Sequence, residues 1–384
     1  MFLFVLLLLV QPAESSNSSI SCYDDQGNAV DWFYLYKLPR LHEEPPEQGL
    51  RYLLLGEQNE QWVDGSVLVG DSTGALGRTV SPLYEVGRPK VNLDISCTMT
   101  SHQNSTVWTM KGGVEATPKH TLLPSVPGIV LFDSSQGYWL VHSTPHFAPR
   151  KAEGRFSYPS SGITNGQNFI CVTYPLKRFE TIGQQLKINQ PHVYDCDVPE
   201  TLATSVPTML QLCKESKWGR GNYSTSPASY SSANQSVSLL SLAGQEFISF
   251  AKGASFKDDL YHSWVAPTLQ SDLLVQFWHR STGVLSSDCS PSWTVLNVHF
   301  ISPGGQIAFK TTEDHSKWAV SAAGGGPGGW VCVGDINRNE AEENRGGGTV
   351  CHLNAVVWKA YRTAALQCDL CTGGVGECDT SLYH

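Results

Sequence analysis

The sequence predicts a mixed α/β (α+β) fold, and three observations carry that reading. The chain has 384 residues, 41% of them apolar, enough to build a substantial core as one large domain or two packed halves. Short runs rich in β-branched and aromatic residues recur between turn-forming residues, as strands do. One segment, residues 200–216, shows helical spacing instead.

Taken in order, the chain opens on MFLFVLLLLV followed by QPAESS. An apolar run passing into small polar residues has the form of a secretory signal, here residues 1–16, cleaved near Ser15 or Ser16. The run is far below the roughly 20 residues a membrane span needs, so a soluble mature protein is expected. VDWFYLYKLPR (30–40) reads as a strand ending at Pro39, and LRYLLLG (50–56) as a second. GIVLFDSSQGYWLVHS (128–143) reads as a hairpin turning at DSSQG, with His142 at its end.

ETLATSVPTMLQLCKES (200–216) spaces Leu202, Val206, Leu210 and Cys213 as a helix, with Pro207 at a start or kink. Strand character returns at 270–280, 292–302 and 314–321. GNYSTSPASYSSANQS (221–236) and AAGGGPGGW (322–330) have the composition of loops. A boundary near 196–200 divides the chain into an N-terminal half, 17–198, and a C-terminal half, 199–384.

Sequons begin at Asn17, Asn104, Asn222 and Asn234, which matter only on a secretory route. Eleven cysteines fit the same oxidising route, and the odd number leaves at least one unpaired. The formal charge of −9 argues against a generic basic nucleic-acid binder at neutral pH. Protonating all 12 histidines would carry that balance to +3, so an acidic compartment would favour a polyanionic ligand. Composition alone does not separate this reading from surface histidines that merely titrate.

His315-Ser316-Lys317 is the sharpest local constellation. In extended backbone, residues two apart project to the same face and can address one phosphate together. Lysine supplies positive charge, and a histidine can serve as nucleophile, acid or base. As a bare tripeptide it is more often part of a solvated strand. Beyond it, VCVGDINRNEAEENRGGGTVC (331–351) sets Asp335, Asn337 and Arg338 between two cysteines. Asp335 and Asn337 could orient His315 or bind phosphate oxygens, or form a purely structural turn. Trp318 is expected in the core.

HSKWAV, VGDINRNEAEENRGGGTVC, VDWFYLYKLPR and GYWLVHSTPHFAP together resemble deoxyribonuclease II, in that family's order across most of residues 22–368. The resemblance implies a phospholipase D-like architecture. Two α/β halves, related by a pseudo-twofold, would each bring a His-x-Lys element to one central site. It implies an endonuclease that hydrolyses double-stranded DNA in acid, needs no metal or other cofactor, and leaves 3′-phosphates. One histidine would form a phosphohistidine while the other protonates the departing 5′-oxygen and then activates water. It also implies a lysosomal or secreted location.

Residue by residue, His315 and Lys317 match the second element. His142 matches the family's WLVHS histidine, a supporting or phosphate-binding group. The first element departs from the family pattern. His120-Thr121 is followed by LLPSVP where a single lysine should precede Gly128, so Leu122 stands in the lysine's place. His120 is then the candidate first catalytic histidine, or the protein binds DNA without turnover. A lipid phosphodiesterase is a third reading. The family's disulfides imply Cys22–Cys171, Cys289–Cys368 and Cys332–Cys351. Proximity suggests Cys196–Cys213 and Cys371–Cys378, leaving Cys97 alone.

Overall fold

The computed structural model describes residues 19–40, 48–85, 95–99, 128–191, 193–218, 234–290, 292–325 and 328–381. The expected signal (1–16), His120 with its LLPSVP segment, and Asn17, Asn104 and Asn222 lie outside the described residues.

Two large sheets dominate a mixed α+β architecture. The first has eight antiparallel strands, in the order Val193–Cys196, Ile95–Met99, Gly128–Phe132, Gln136–His142, Gln167–Pro175, Trp32–Lys37, Tyr52–Gly56 and Val63–Asp64. The second runs Asn234–Leu240, Glu246–Lys252, Gly347–Asn354, Gly329–Gly334, Trp318–Ser321, Leu273–Gln276, Thr294–Ile301, Ala365–Asp369 and Val375–Gly376. Two short strands, Asp288–Cys289 and Phe309–Lys310, also pair with Thr294–Ile301.

Alternation along the strands decides how the sheets pack. Trp32, Tyr34 and Tyr36 face one core, and Phe33 and Leu35 face another. The first of these cores also takes Trp318, Val320, Val331 and Val333 from the second sheet, and Val357 and Tyr361 from the Ala355–Ala364 helix. One apolar layer therefore joins both sheets. Ridges from Phe179, Ile182 and Leu186 of the Phe179–Asn189 helix extend that layer.

The 200–216 segment resolves into a short 3₁₀ turn, Glu200–Leu202, and a helix, Pro207–Trp218. Pro207 stands at the helix's first position, where its missing N–H costs no intrahelical bond. The 221–236 loop assignment is corrected at its end, because Asn234 already pairs with Lys252 as a strand residue. Likewise the 322–330 loop ends early, since Gly329 and Trp330 pair with Asn354 and Leu353. Among the described residues no helix is long and apolar enough to cross a membrane.

Disulfides join Cys22–Cys171, Cys196–Cys213, Cys332–Cys351, Cys289–Cys371 and Cys368–Cys378. The last two correct the expected Cys289–Cys368 and Cys371–Cys378. Cys368 lies in a strand and is buried in the shared core, where Cys378 joins it after the chain reverses at Leu370–Gly374. Cys371 sits in that turn and meets Cys289. Two cysteines three residues apart are indistinguishable by spacing, and the turn settles which faces which.

Candidate active site

His315, Ser316 and Lys317 form an extended segment leading into the Trp318–Ser321 strand, rather than lying within it. The segment docks on the first sheet. The Gly166 carbonyl accepts the His315 backbone N–H at 2.8 Å, while the Gly166 N–H donates to the Glu313 carbonyl at 2.9 Å. Gly166 has to be glycine here, because a Cβ would lie 2.4 Å from Asp314 Oδ1. Asn168 holds the other end. Its Oδ1 accepts the Lys317 N–H and its Nδ2 donates to the Lys317 carbonyl, both at 3.2 Å.

Asp314, directly before His315, anchors the segment from within. Its carboxylate accepts from the Tyr36 hydroxyl at 2.5 Å, from Ser316 Oγ at 2.5 Å and from the Ser316 N–H at 3.0 Å. Trp318 Nε1 donates to the Tyr36 hydroxyl at 3.2 Å. Burial pushes the Asp314 carboxyl up from its usual range, against the pull of these donors. The His-Ser-Lys element is thus clamped between the two sheets by buried hydrogen bonds, each of which would be costly to leave unmade.

The imidazole of His315 is oriented by one contact. Its Nδ1 lies 2.9 Å from the Ser143 carbonyl. Lys317 Nζ also lies 3.0 Å from Nδ1, and 2.9 Å from the His315 carbonyl. A single ring nitrogen cannot donate to Ser143 and accept from Lys317 at once. A carbonyl can only accept, so Nδ1 carries the proton and donates to Ser143, while Lys317 donates to the His315 carbonyl. Nε2 then bears the lone pair, buried and without a hydrogen-bond partner among the described residues. Burial, with the Lys317 charge second, holds the His315 imidazole well below the usual histidine range.

Lys317 is itself buried, and burial lowers its ammonium to about 8, opposed by Glu342, Asp335 and Asp314. Asp335 accepts the Gly348 N–H at 2.8 Å through Oδ1, and its Oδ2 is buried without a partner among the described residues. Burial raises its carboxyl to about 8. Asn337 accepts the Trp278 backbone N–H at 3.1 Å and donates to Glu342 Oε1 at 3.2 Å. Its side chain therefore fixes the Trp278 segment. His142 is enclosed by Phe147 and Phe169, at ring-centroid distances of 5.1 and 5.5 Å. Burial, with Lys317 second, lowers it to about 3.

The structure thus brings His315 and Lys317 together and sets Asp335 within electrostatic reach of Lys317. Asn337 reaches the surroundings of Lys317 through Glu342, to which it donates. Neither ring nitrogen of His142 has a hydrogen-bond partner among the described residues, and His120 lies outside them. Sequence reading missed Ser143, Gly166, Asn168 and Asp314. Only Asp314 had a local signal, its place beside His315. Among the described residues no three His, Cys, Asp or Glu side chains converge as a metal-ligand group.

A buried imidazole with an unengaged lone pair, paired with a lysine, defines a histidine-centred site at the junction of two sheets. Comparison with known proteins gives it a family. The model of the family described as Deoxyribonuclease II matches residues 21–371. Similar relatives include deoxyribonuclease-2-alpha of Sus scrofa, 39% identical over 90% of this chain and 88% of the relative. Others are deoxyribonuclease-2-beta of Homo sapiens (34% identical, 96% of each chain) and plancitoxin-1 of Acanthaster planci (34%, 97% of this chain and 98% of the relative). The chain belongs to the deoxyribonuclease II family.

Proposed function

We propose that this protein is an acid endonuclease that hydrolyses double-stranded DNA without divalent metal and acts in the lysosome or after secretion. The observation that carries the reading is the His315 imidazole, held by Ser143 with Nε2 free, its pKa pushed by burial well below the usual histidine range. In this mechanism Nε2 attacks phosphorus, the bond to the 5′-oxygen breaks, and a second histidine gives that oxygen its proton. Water then cleaves the P–N bond, freeing His315 and leaving a 3′-phosphate. Lys317, charged below about pH 8, offsets the negative charge on the phosphoryl oxygens.

The strand register supports two phospholipase D-like halves, 17–198 and 199–384, related by a pseudo-twofold. Trp32–Lys37, Gln167–Pro175, Gln136–His142 and Gly128–Phe132 are neighbours in one sheet, in that order and all antiparallel. Glu246–Lys252, Gly347–Asn354, Gly329–Gly334 and Trp318–Ser321 repeat the order in the other. Lys37 and Lys252 close corresponding strands, and each buries its ammonium on backbone carbonyls. Ser143 corresponds to Asp335, whose Oδ1 accepts the Gly348 N–H as Ser143 Oγ accepts that of Asn168.

In that register Gly128 corresponds to Trp318, and in the sequence the residues three and one before Gly128 are Ser125 and Pro127, where His315 and Lys317 precede Trp318. This favours a second reading, a DNA-binding member whose catalysis is impaired. Plasmid incubated with the purified protein near pH 5 in EDTA tests both. Nicked products with 3′-phosphate ends support the endonuclease. Binding without nicking, with nicking restored when LLPSVP (122–127) is replaced by one lysine, supports the second.

A further inference from the structure

Directly after the Leu273–Gln276 strand the chain passes Phe277 and presents Trp278, then Arg280. Trp278 is half-buried, with its ring centroid 5.2 Å from that of His315 and the planes at 52°. Arg280 is exposed, with its guanidinium 5.7 Å from the centre of the Trp278 ring. Among the described residues no ion pair or hydrogen bond engages the Arg280 side chain, whose guanidinium lies over the Trp278 ring. The chain from Trp278 to Arg280 is held from below: Asn337 accepts the Trp278 N–H, and the Trp278 carbonyl accepts Ser281 Oγ at 2.9 Å.

Tryptophan is seldom fully buried, and it suits places where one end is apolar and the other wet, so what marks Trp278 is where its ring stands. Trp318, which pairs with Gln276 from the neighbouring strand, is fully buried in the core. Trp278 instead stays half-buried beside His315, an imidazole whose Nδ1 is held by Ser143 and whose Nε2 is unengaged among the described residues. The cations behind it are committed, since Lys317 is buried against His315 and Arg345 pairs with Glu342 at 2.8 Å. Arg280 is the cation of this group that faces solvent. In a chain of net charge −9, a polyanion needs such a local foothold.

We propose that Trp278 and Arg280 form the substrate wall of the His315 site. The indole takes the face of the nucleotide next to the scissile phosphate, and Arg280 pairs with the flanking phosphate. The inference rests on the reading of His315 as the reacting residue, and it deepens that reading by naming what positions the strand. Stacking explains why an aromatic stands there, and ion pairing explains why an unpaired arginine lies over it.

The test measures binding and turnover separately. Affinity for a fluorescein-labelled 12-base-pair duplex is read at pH 5 in EDTA, on a His315→Asn background that prevents turnover. Trp278→Ala is expected to weaken binding on the order of tenfold, and Trp278→Phe to restore most of it. Arg280→Gln is expected to lower the slope of log affinity against log salt by about one, as loss of one phosphate contact does. With His315 intact, both variants should raise KM more than they lower kcat.

Unchanged affinity and salt slope in well-folded Trp278→Ala and Arg280→Gln proteins would overturn the inference, whatever the cleavage assay shows. Full binding effects without cleavage by the unmodified protein would instead fault the endonuclease reading alone. Absence of duplex binding by the unmodified protein would overturn both.

Discussion

His315 donates its Nδ1 proton to the main-chain carbonyl of Ser143, 172 residues away and on the opposite sheet, at 2.9 Å. A backbone acceptor cannot be removed by substitution and cannot ionise, so the tautomer is fixed by the fold itself. The lone pair is left on Nε2, and burial disfavours its protonation, holding the imidazole well below the usual histidine range.

The first expectation concerns charge. An imidazole with a depressed pKa stays neutral as the pH falls through the ordinary histidine range near 6.5. Histidine-selective NMR should therefore find His315 neutral at pH 5 and His142 titrating only near 3. Any rise in activity on acidification would then come from another group. A His315 midpoint near 6.5 would contradict the tautomer-and-burial account.

Asp335 gives the opposite sign. Its folded carboxyl is raised to about 8, whereas an unfolded aspartate ionises near ~3.9. Between those values the native state holds a proton that the unfolded chain has lost. The stability linked to it is complete below about pH 4 and is lost as the pH rises through about 8. Asp335→Asn, which cannot ionise, should thus gain stability relative to the unmodified protein as the pH is raised. A difference of ~1–3 kcal/mol between pH 5 and pH 8, measured by urea unfolding, is expected.

Asn168 is satisfied at both ends by the main chain of Lys317, so truncation leaves the buried Lys317 N–H without its partner, while the Lys317 carbonyl keeps the Gly334 N–H at 3.1 Å. Asn168→Ala should cost ~1–3 kcal/mol in stability. It should also lower kcat more than KM, because the segment carrying His315 loses one of its clamps. Thermal unfolding and steady-state kinetics read the two effects. A loss of stability with unchanged kcat would leave Asn168 a structural residue only.

Much of the architecture was legible because strands report themselves locally. The 128–143 hairpin and the aromatic 30–40 strand follow from alternation and turn residues, and His315 and Lys317 converge because their side chains are two apart. Ser143, Gly166 and Asn168 were illegible for the converse reason. Their contacts to the His315 segment span about 150 to 170 residues, and nothing in their own neighbourhoods marks them. The choice left open for Asn337 between orienting, phosphate-binding and structural roles could not be narrowed locally, because its contact to the Trp278 backbone N–H spans 59 residues. The pairing of Cys368 and Cys371 turned on a reversal of the chain that spacing could not resolve.

The most direct measurement is plasmid nicking near pH 5 in EDTA by the unmodified protein and by His315→Ala, each confirmed as folded by circular dichroism. A free Nε2 nucleophile requires the variant to lose activity on the order of a thousandfold or more, with duplex binding retained. Nicking by His315→Ala at the unmodified rate would contradict the assignment of His315 as the centre of the chemistry.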